Sequence, residues 1–424
     1  MSPPSTGRVA LLVVGLLAVV GVGVTAGFVA QSDTPGEQQA VDSDTPQPDL
    51  TRVNGTTNYL QVSDSTLQTS GRYRASVDVT AATRIDSDRL SLDYALESFQ
   101  ARFESAESEA ERTAAARTFA ARLDNKTESM HQRQERALEG YNNGDLTANE
   151  FIATLARVDA TSQKIESTAS TVVTMDESMI DYSLPPEVDT KLRGYEGALL
   201  TNRGLLREVE FRPAITGSGQ SRPVYIETGE QGIVVATIVN DRYVREGFTA
   251  RPITRNGDLQ LRTASDVISR ANELYPWAMA ADNRKRSPRP NSFGNTSAFS
   301  VDISHTQGEL TTYLDTSTAE VFKEEQIRDL TAMSPSRTYT NSTGRFALTV
   351  NATHETGPIE ISLTRLTTSS GANATVEIDG RQVGETGSDG HLWTIDTRGP
   401  TIVEVTPPDG TTFTVRIPAS STPD

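Results

Sequence analysis

Histidine and cysteine, which carry much of enzyme chemistry, are scarce or absent in this sequence, and the histidines lie far apart. Its four histidines, His131, His305, His354 and His391, form neither a His-Glu-x-x-His motif nor a pair at helical spacing, the patterns expected of a zinc site. Cysteine is absent, which excludes thiolate catalysis, disulfides and Cys-ligated zinc. We therefore predict that each histidine is a surface or partly packed residue rather than a metal ligand.

Other catalytic patterns are equally incomplete. Gly217-Ser218-Gly219 lacks the strand-turn-helix frame in which a hydrolase serine sits, and the sequence contains no P-loop or dinucleotide glycine motif. Aspartates at 42 and 44, and at 86 and 88, have calcium-loop spacing without the Gly and Glu of an EF-hand loop. Carboxylate pairs in so acidic a chain are more often solvated surface than a glycosidase dyad. We predict no enzyme, no catalytic residue, no cofactor and no metal site.

One short run departs from the acidic background. The chain has a net charge of −17, yet one run of six residues carries four bases: Arg284, Lys285, Arg286 and Arg289. Two interpretations stay open: a contact for an acidic partner, such as an envelope protein or an anionic glycan, or a solvated loop that balances neighbouring acids. Nucleic acid is not an expected partner of an acidic, exported chain, and the oligomeric state is not indicated.

The segment that decides where these residues lie is Val9–Ala30, 22 residues without a charge. At about 1.5 Å per residue, a helix of this length spans about 33 Å, enough to cross a bilayer. Arg8 precedes it and acids follow at 33, 37, 42 and 44, so residues 1–8 should stay cytoplasmic while the rest is exported. We predict a single-pass signal-anchor at the cell membrane with the C-terminal domains outside; cleavage after Val24-Thr25-Ala26 is the alternative.

The composition fits an exported, acidic surface. Asp and Glu number 56 against 39 Lys and Arg, and only five of those bases are Lys. Such a chain resembles haloarchaeal proteins, although an ordinary acidic protein stays an alternative. Residues 31–58 are rich in Pro, Asp, Ser, Thr and Gln and predict a disordered linker. Six N-x-Ser/Thr triplets are possible glycosylation sites: Asn54, Asn125, Asn295, Asn341, Asn351 and Asn373.

Residues 59–210 predict a helical hairpin domain. A strand-like piece at 59–79 is followed by a helical region at about 86–179, in which apolar residues recur at alternating spacings of four and three. The first arm shows one stammer between Ala110 and Ala116. Asn142–Thr147 separates the arms, and Thr147 with Glu150 forms a capping box. We expect an antiparallel, coiled-coil-like hairpin whose burial is completed by a third helix at 192–206 or by a partner.

Residues 215–335 predict an α+β domain. Strands are expected at 224–227, 232–239, 243–250, 298–304, 309–314 and 320–322, with a helix at 264–274. Residues 263–325 resemble a PepSY-type module through Asp315, Thr318 and Val321, with Ala319 where that family usually carries Gly. The resemblance implies a module that binds or restrains a partner, such as an exported protease, rather than one that catalyses.

Residues 340–418 predict a small β-sandwich. Six alternating segments, at 346–351, 359–366, 375–378, 391–395, 401–405 and 412–417, are separated by Asp-Gly turns at 379, 389 and 409. The run Val376–Asp396 resembles PEGA, Ig-like and carboxypeptidase-regulatory-like surface modules, which implies an accessory domain without chemistry of its own.

Two further stretches, 58–82 and 131–165, are similar to an uncharacterised family of haloarchaeal membrane-anchored proteins with the same layout, which implies no activity. The sequence as a whole predicts a multidomain α+β protein: a transmembrane helix, a helical hairpin, a PepSY-like domain and a β-sandwich. The protein is expected to be a structural or interaction protein at the outer face of the membrane. Regulation of an exported protease or hydrolase is the alternative.

Overall fold

The computed structural model describes residues 49–53, 55, 59–253, 259–294 and 296–419. The predicted cytoplasmic leader 1–8, the anchor at 9–30 and the linker as far as residue 48 lie outside these residues. Within the described ranges, no helix is both long and apolar enough to cross a membrane.

The described chain begins with a two-stranded antiparallel hairpin formed by β1 (Leu50–Val53) and β2 (Tyr59–Val62). The Asp49 carboxylate accepts hydrogen bonds from the backbone N–H groups of Gln231 and Gly232. The predicted disordered linker is therefore wrong for residues 50–53. The amino-acid composition does not predict this strand, because its side chains bury little apolar surface. Its backbone N–H and C=O groups are instead hydrogen-bonded to β2.

A bundle of three long helices and one shorter helix follows: α1 (Val79–Glu104), α2 (Glu109–Asn142), α3 (Ala148–Glu177) and α4 (Pro186–Ala198). The capping box of Thr147 and Glu150 at the start of α3 is confirmed. The predicted two-helix, coiled-coil-like hairpin is wrong, because its first arm is two separate helices. The expected extra helix is present as α4, which begins and ends earlier than the predicted 192–206.

The chain reverses between α1 and α2 at residues 105–108, just before the predicted stammer, which lies inside α2. The Ser108 side chain accepts the backbone N–H of Glu111 and starts α2 as its N-cap. The rings of Phe99 and Phe119 then meet at 4.7 Å, and Asp88 pairs with Lys126 at 2.8 Å. Residues equally far from the break contact each other, so α1 and α2 are antiparallel.

The centre of the protein is an eight-stranded antiparallel sheet in the order β3-β4-β5-β6-β10-β9-β8-β7. Its strands are β3 (Thr69–Arg74), β4 (Pro223–Thr228), β5 (Gly232–Val239), β6 (Arg242–Thr249), β7 (Arg289–Ser292), β8 (Ala298–His305), β9 (Gly308–Asp315) and β10 (Glu320–Asp329). All the predicted strands of the α+β region are confirmed. The strand-like piece before the helices contributes β3, which pairs with β4 across about 150 residues of sequence.

Helices cover both faces of this sheet. Helices α2, α3 and α5 (Arg212–Thr216) bury residues such as Phe151 and Ile215 against Val224, Val235 and Phe248 on one face. On the other face, α6 (Ala264–Leu274) and α7 (Pro276–Met279) pack on β8 and β9. Parts of α2 and α3 therefore share a hydrophobic core with the sheet, whereas the rest of the bundle has a core of its own. Helix α6 has the predicted bounds.

The C-terminal region is a sandwich of two antiparallel sheets, as predicted. One sheet runs β11-β12-β13-β14 with β17 paired to β13, and the other runs β16-β15-β18-β19. The strands are β11 (Arg337–Ser342), β12 (Phe346–Ala352), β13 (Pro358–Arg365), β14 (Ser370–Gly371), β15 (Thr375–Ile378), β16 (Arg381–Glu385), β17 (His391–Ile395), β18 (Thr401–Thr406) and β19 (Phe413–Ile417). Alternate residues of both sheets meet in one apolar core.

Candidate interaction surfaces

The four predicted bases lie together at an edge of the eight-stranded sheet, where α7 leads into β7. Arg289 begins β7 and is in register with Asp302 of β8. Arg284 forms a single β-bridge with His305, so the whole run follows the edge. Arg286 makes an ion pair with Glu309 at 3.1 Å, and both side chains are about half exposed.

This position offers a structural explanation for the bases. In the described chain, β7 has a neighbouring strand on one side only. Exposed charges and a proline on an edge strand prevent it from pairing with other chains, and β7 carries Pro290 beside Arg289. A partner contact through these bases stays a prediction.

The structure contains a second basic surface, which the sequence did not predict. An open groove of about 470 Å³ lies between α1, α3 and the turn that leads into α5. We call it the basic groove, because its charged lining is four bases and two acids: Arg89, Lys164, Arg203, Arg212, Glu166 and Glu208. Its walls also carry the amide of Gln163 and the hydroxyls of Ser167 and Ser170.

Three of the four bases of the groove already have partners. Arg203 pairs with Glu166, and Lys164 pairs with Asp93 on α1. Arg212 donates to Gln163 at 2.9 Å and lies 3.4 Å from Glu208. Arg89 is exposed and makes no hydrogen bond or ion pair with any residue in the described ranges. The groove therefore holds positive charge that its own acids do not fully balance.

The groove is assembled from distant parts of the sequence. Ala160, Gln163, Lys164 and Ser167 lie on one face of α3 because they are three or four residues apart. Arg203 and Arg212 flank a π-helical turn, Arg207–Phe211, a rare element that is often found at functional sites. The spacing on α3 was visible in the sequence, whereas the approach of α1 and of the π-helical turn was not.

A buried polar cluster lies beneath the basic groove. Arg207 and Glu246 are fully buried and form an ion pair at 2.5 Å, and Arg207 also donates to Gln134 at 3.0 Å. Asp159 accepts the backbone N–H of Gly204 at 3.1 Å. A side chain at Gly204 would overlap the Glu246 carboxylate. This packing fixes the segment that carries Arg203.

Burial dominates the electrostatics of this cluster. It raises the pKa of Asp159 to about 6, although Arg207 acts in the opposite direction. Burial also raises the pKa of Glu246, against the attraction of Arg207 and Lys323. Both acids are therefore easier to protonate than ordinary carboxyl groups.

The C-terminal sandwich is fixed to the sheet by apolar and charged contacts. Tyr225, Tyr243 and Ile395 are buried together at the junction. Arg398 pairs with the buried Glu227 of β4. Two cavities of about 280 and 290 Å³ flank Trp393 at this junction.

Four of the six predicted glycosylation sites lie among the described residues. Asn125 is exposed within α2, and Asn341 and Asn373 are exposed in the C-terminal sandwich. Asn351 is half-buried and donates to Glu360 at 3.0 Å. Asn54 and Asn295 lie outside the described residues. Modification of all six stays a prediction.

The histidines differ from expectation in their burial. His131 and His305 are buried rather than at the surface, and burial lowers the pKa of each to about 4. His391 is half-exposed, with Nδ1 3.2 Å from Glu360. In the part of the chain that the structure covers, no three His, Asp or Glu side chains are grouped so as to hold a metal ion.

The fold and surfaces define a multidomain α+β protein in which a helical bundle and a β-sandwich are joined to one central sheet. The chain belongs to the family described as a domain of unknown function, DUF7096, which matches residues 8–220. Residues 224–334 match a family of unknown function, DUF7094, and residues 337–414 match an archaeal fibronectin-III type-like domain. No curated protein and no solved structure matches the chain.

These matches agree with the broad prediction of a multidomain archaeal protein. The C-terminal match is to a fibronectin-III type rather than to the PEGA or carboxypeptidase-regulatory-like modules that Val376–Asp396 resembles.

Proposed function

We propose that this chain is a membrane-anchored, outward-facing interaction protein that binds an acidic partner of the cell envelope in the basic groove. The observation that carries the proposal is the charge of the groove. Four bases face two lining acids and Asp93, the partner of Lys164, on a chain whose net charge is −17. An acidic protein is repelled by other acidic molecules over most of its surface. A basic surface on such a chain is therefore the place where an acidic partner can approach it.

The existing ion pairs do not close the groove to a partner. Exposed pairs contribute only about 0–1 kcal/mol each, so a partner's carboxylate can replace the half-exposed Asp93 on Lys164 at little cost. The Arg203–Glu166 pair is less exposed and is the harder of the two to exchange. Arg89 needs no such exchange. The buried Arg207–Glu246 pair below keeps the floor of the groove rigid, which lowers the entropy lost on binding.

The test compares two charge-reversal variants of the full chain in native membranes at high salt. One variant changes Arg89 and Lys164 to Glu, and the matched control changes Arg284 and Lys285 to Glu. Chemical cross-linking and affinity purification should recover an acidic protein with the wild type and the control, and lose it with the groove variant.

The same experiment separates the competing surfaces. Loss of the partner only in the 284/285 variant would move the binding site to the β7 edge, as the sequence suggested. Recovery of an anionic glycan in place of a protein would change the class of partner. If the wild type is recovered alone under all conditions, the interaction proposal fails.

The anchor is a separate part of the proposal. It is supported by the uncharged segment Val9–Ala30 and by the basic and acidic residues on its two sides. Alkaline carbonate should leave the full chain in the membrane fraction, and external protease should digest its C-terminal domains in intact cells. Release by carbonate would favour cleavage after Val24-Thr25-Ala26.

The alternative is a regulator of an exported protease or hydrolase, acting through a PepSY-like module. A helix followed by a strand meander, α6 with β8, β9 and β10, supports it. Ala319 supports it also, because its φ of 58° lies in the left-handed region that favours the Gly usual in that family. Inhibition of a co-purified protease by the wild-type chain would favour this alternative over a purely structural role.

A further inference from the structure

An open cavity lies between the C-terminal sandwich and the segment that leads into it from β10. Its volume is about 280 Å³. The lining combines apolar and polar side chains and includes Leu330, Met333, Trp393, Thr331, Asn351 and Glu360. Among the described residues, no arginine or lysine lines it. We call it the sandwich cavity.

Strand pairing brings the main polar groups of this cavity and its one aromatic ring together. On β12, β13 and β17, Asn351 is in register with Glu360, and Glu360 is in register with Trp393. The residues beside them in sequence, such as Val350 and Ile361, face the core of the sandwich. Because side chains alternate between the two faces of a sheet, the amide, the carboxylate and the indole form one row on the outer face.

Hydrogen bonds hold the polar groups of this row in place. The Asn351 amide donates to one oxygen of Glu360 at 3.0 Å and accepts from the hydroxyl of Thr338 at 2.9 Å. His391 Nδ1 lies 3.2 Å from the other Glu360 oxygen. The groups keep further hydrogen-bonding capacity, since an amide has two N–H groups and a carboxylate oxygen accepts more than one bond. A ligand can therefore bind to the row without breaking its internal contacts.

We propose that the sandwich cavity binds one ring of a neutral saccharide, at a site that is independent of the basic groove. A sugar ring has hydroxyl groups around its rim and apolar C–H groups on its faces. The amide, the carboxylate and the Thr331 hydroxyl suit the rim, and the indole of Trp393 suits a face.

Size and charge narrow the ligand further. Small-molecule pockets have volumes of about 300–1,000 Å³, so the sandwich cavity is at the lower end of that range and has room for a single ring. An acidic ligand is disfavoured, because it would meet the Glu360 carboxylate and no lining base. The ligand is therefore a neutral sugar rather than a uronic acid.

The first test uses the wild-type full chain in detergent at a fixed, high salt concentration. The chain has two tryptophans, Trp277 and Trp393, whose indole N–H signals are resolved by ¹H–¹⁵N NMR and assigned with Trp277→Phe. Glucose, mannose, galactose and N-acetylglucosamine are titrated separately. At least one sugar should shift the Trp393 signal saturably and leave the Trp277 signal unchanged. No shift of the Trp393 signal with any of them would overturn the proposal.

The second test is a matched pair of variants in the same titration. Glu360→Gln should weaken binding by about tenfold or more, because it removes a charged acceptor. Glu385→Gln is the control and should bind as the wild type does, since Glu385 also accepts an asparagine amide, that of Asn373 at 3.1 Å, but lies on the other sheet. Glu360 does not line the second cavity beside Trp393, so this comparison also separates the two cavities.

Three outcomes of these measurements would contradict the proposal. Equal weakening by the two variants would show that Glu360 does not bind the sugar. A shift with choline and with none of the sugars would assign the cavity to a cation. A glycan attached to Asn351 itself, found by mass spectrometry of the native chain, would replace a separate saccharide as the occupant.

Discussion

Asp159→Asn tests whether the protein maintains a costly charge beneath the basic groove. Asp159 is fully buried, one of its oxygens has no partner among the described residues, and burial raises its pKa from 3.8 to about 6. The folded state therefore binds a proton between about pH 6 and 3.8 that the unfolded state does not bind. Protonation of Asp159 therefore increases the free energy of unfolding as the pH falls through that window, and this contribution is absent above pH 7.

The size of the effect follows from the pKa difference. A difference of about two pH units at about 1.4 kcal/mol each gives an upper limit of about 3 kcal/mol. Asparagine keeps the acceptor for the Gly204 N–H and carries no charge. Asp159→Asn should therefore be more stable than wild type by about 1–3 kcal/mol at pH 7.5 and should lose that advantage near pH 4.

Denaturant unfolding of both proteins at a fixed, high salt concentration measures this difference. Subtracting the two pH profiles removes the other groups that titrate in the same window. The matched control Asp93→Asn changes a half-exposed acid paired with Lys164 and should shift stability by less than about 1 kcal/mol. A variant that is destabilised equally at pH 4 and pH 7.5 would show that Asp159 is not strained by its charge.

Three further outcomes are expected. Gly308→Ala should destabilise the protein by at least about 2 kcal/mol in denaturant unfolding, because φ is 148° and the added methyl group would overlap the carbonyl of Ile327. Ala319→Gly should raise stability by about 0.5–1 kcal/mol in the same assay, since glycine adopts a φ of 58° without strain. The pKa of His131 is lowered by burial from 6.5 to about 4, so wild-type stability from this group is lost as the pH falls from 6.5 towards 4. His131→Leu should remove up to about 1.4 kcal/mol per pH unit of that slope, measured by unfolding between pH 7 and 4.5.

Local patterns in the sequence predicted elements well where the chain itself supplies the signal. Helix α6 is bounded by a capping residue and a break in periodicity, and β5 is a nearly continuous run of β-branched residues. The reversal between α1 and α2 also had a local signal, since Ser108 and Glu111 have the spacing of a capping box. The alternating apolar spacing continues across the break, however, and on its own predicts one continuous helix.

Features made by distant residues could not be predicted in this way. Strand β3 is recognisable, but its pairing with β4 depends on the helices that bring the two together. The basic groove likewise combines Arg89 of α1 with Arg203 and Arg212, which are more than 100 residues away in sequence. The four bases at 284–289 form a cluster that is visible in the sequence, whereas the groove bases are scattered singly along the chain.

The N-terminal hairpin has a consequence for how the chain folds during synthesis. Arg398 donates to the carbonyl of Val62 at 2.9 Å, and Arg72 donates to the carbonyl of Ile395 at 2.9 Å, contacts that span more than 320 residues. The earlier residue of each pair therefore waits for a residue made more than 320 positions later before its hydrogen bond is complete. At the ribosome these contacts form only when the C-terminal sandwich docks, and until then the bases and acids at the junction face water.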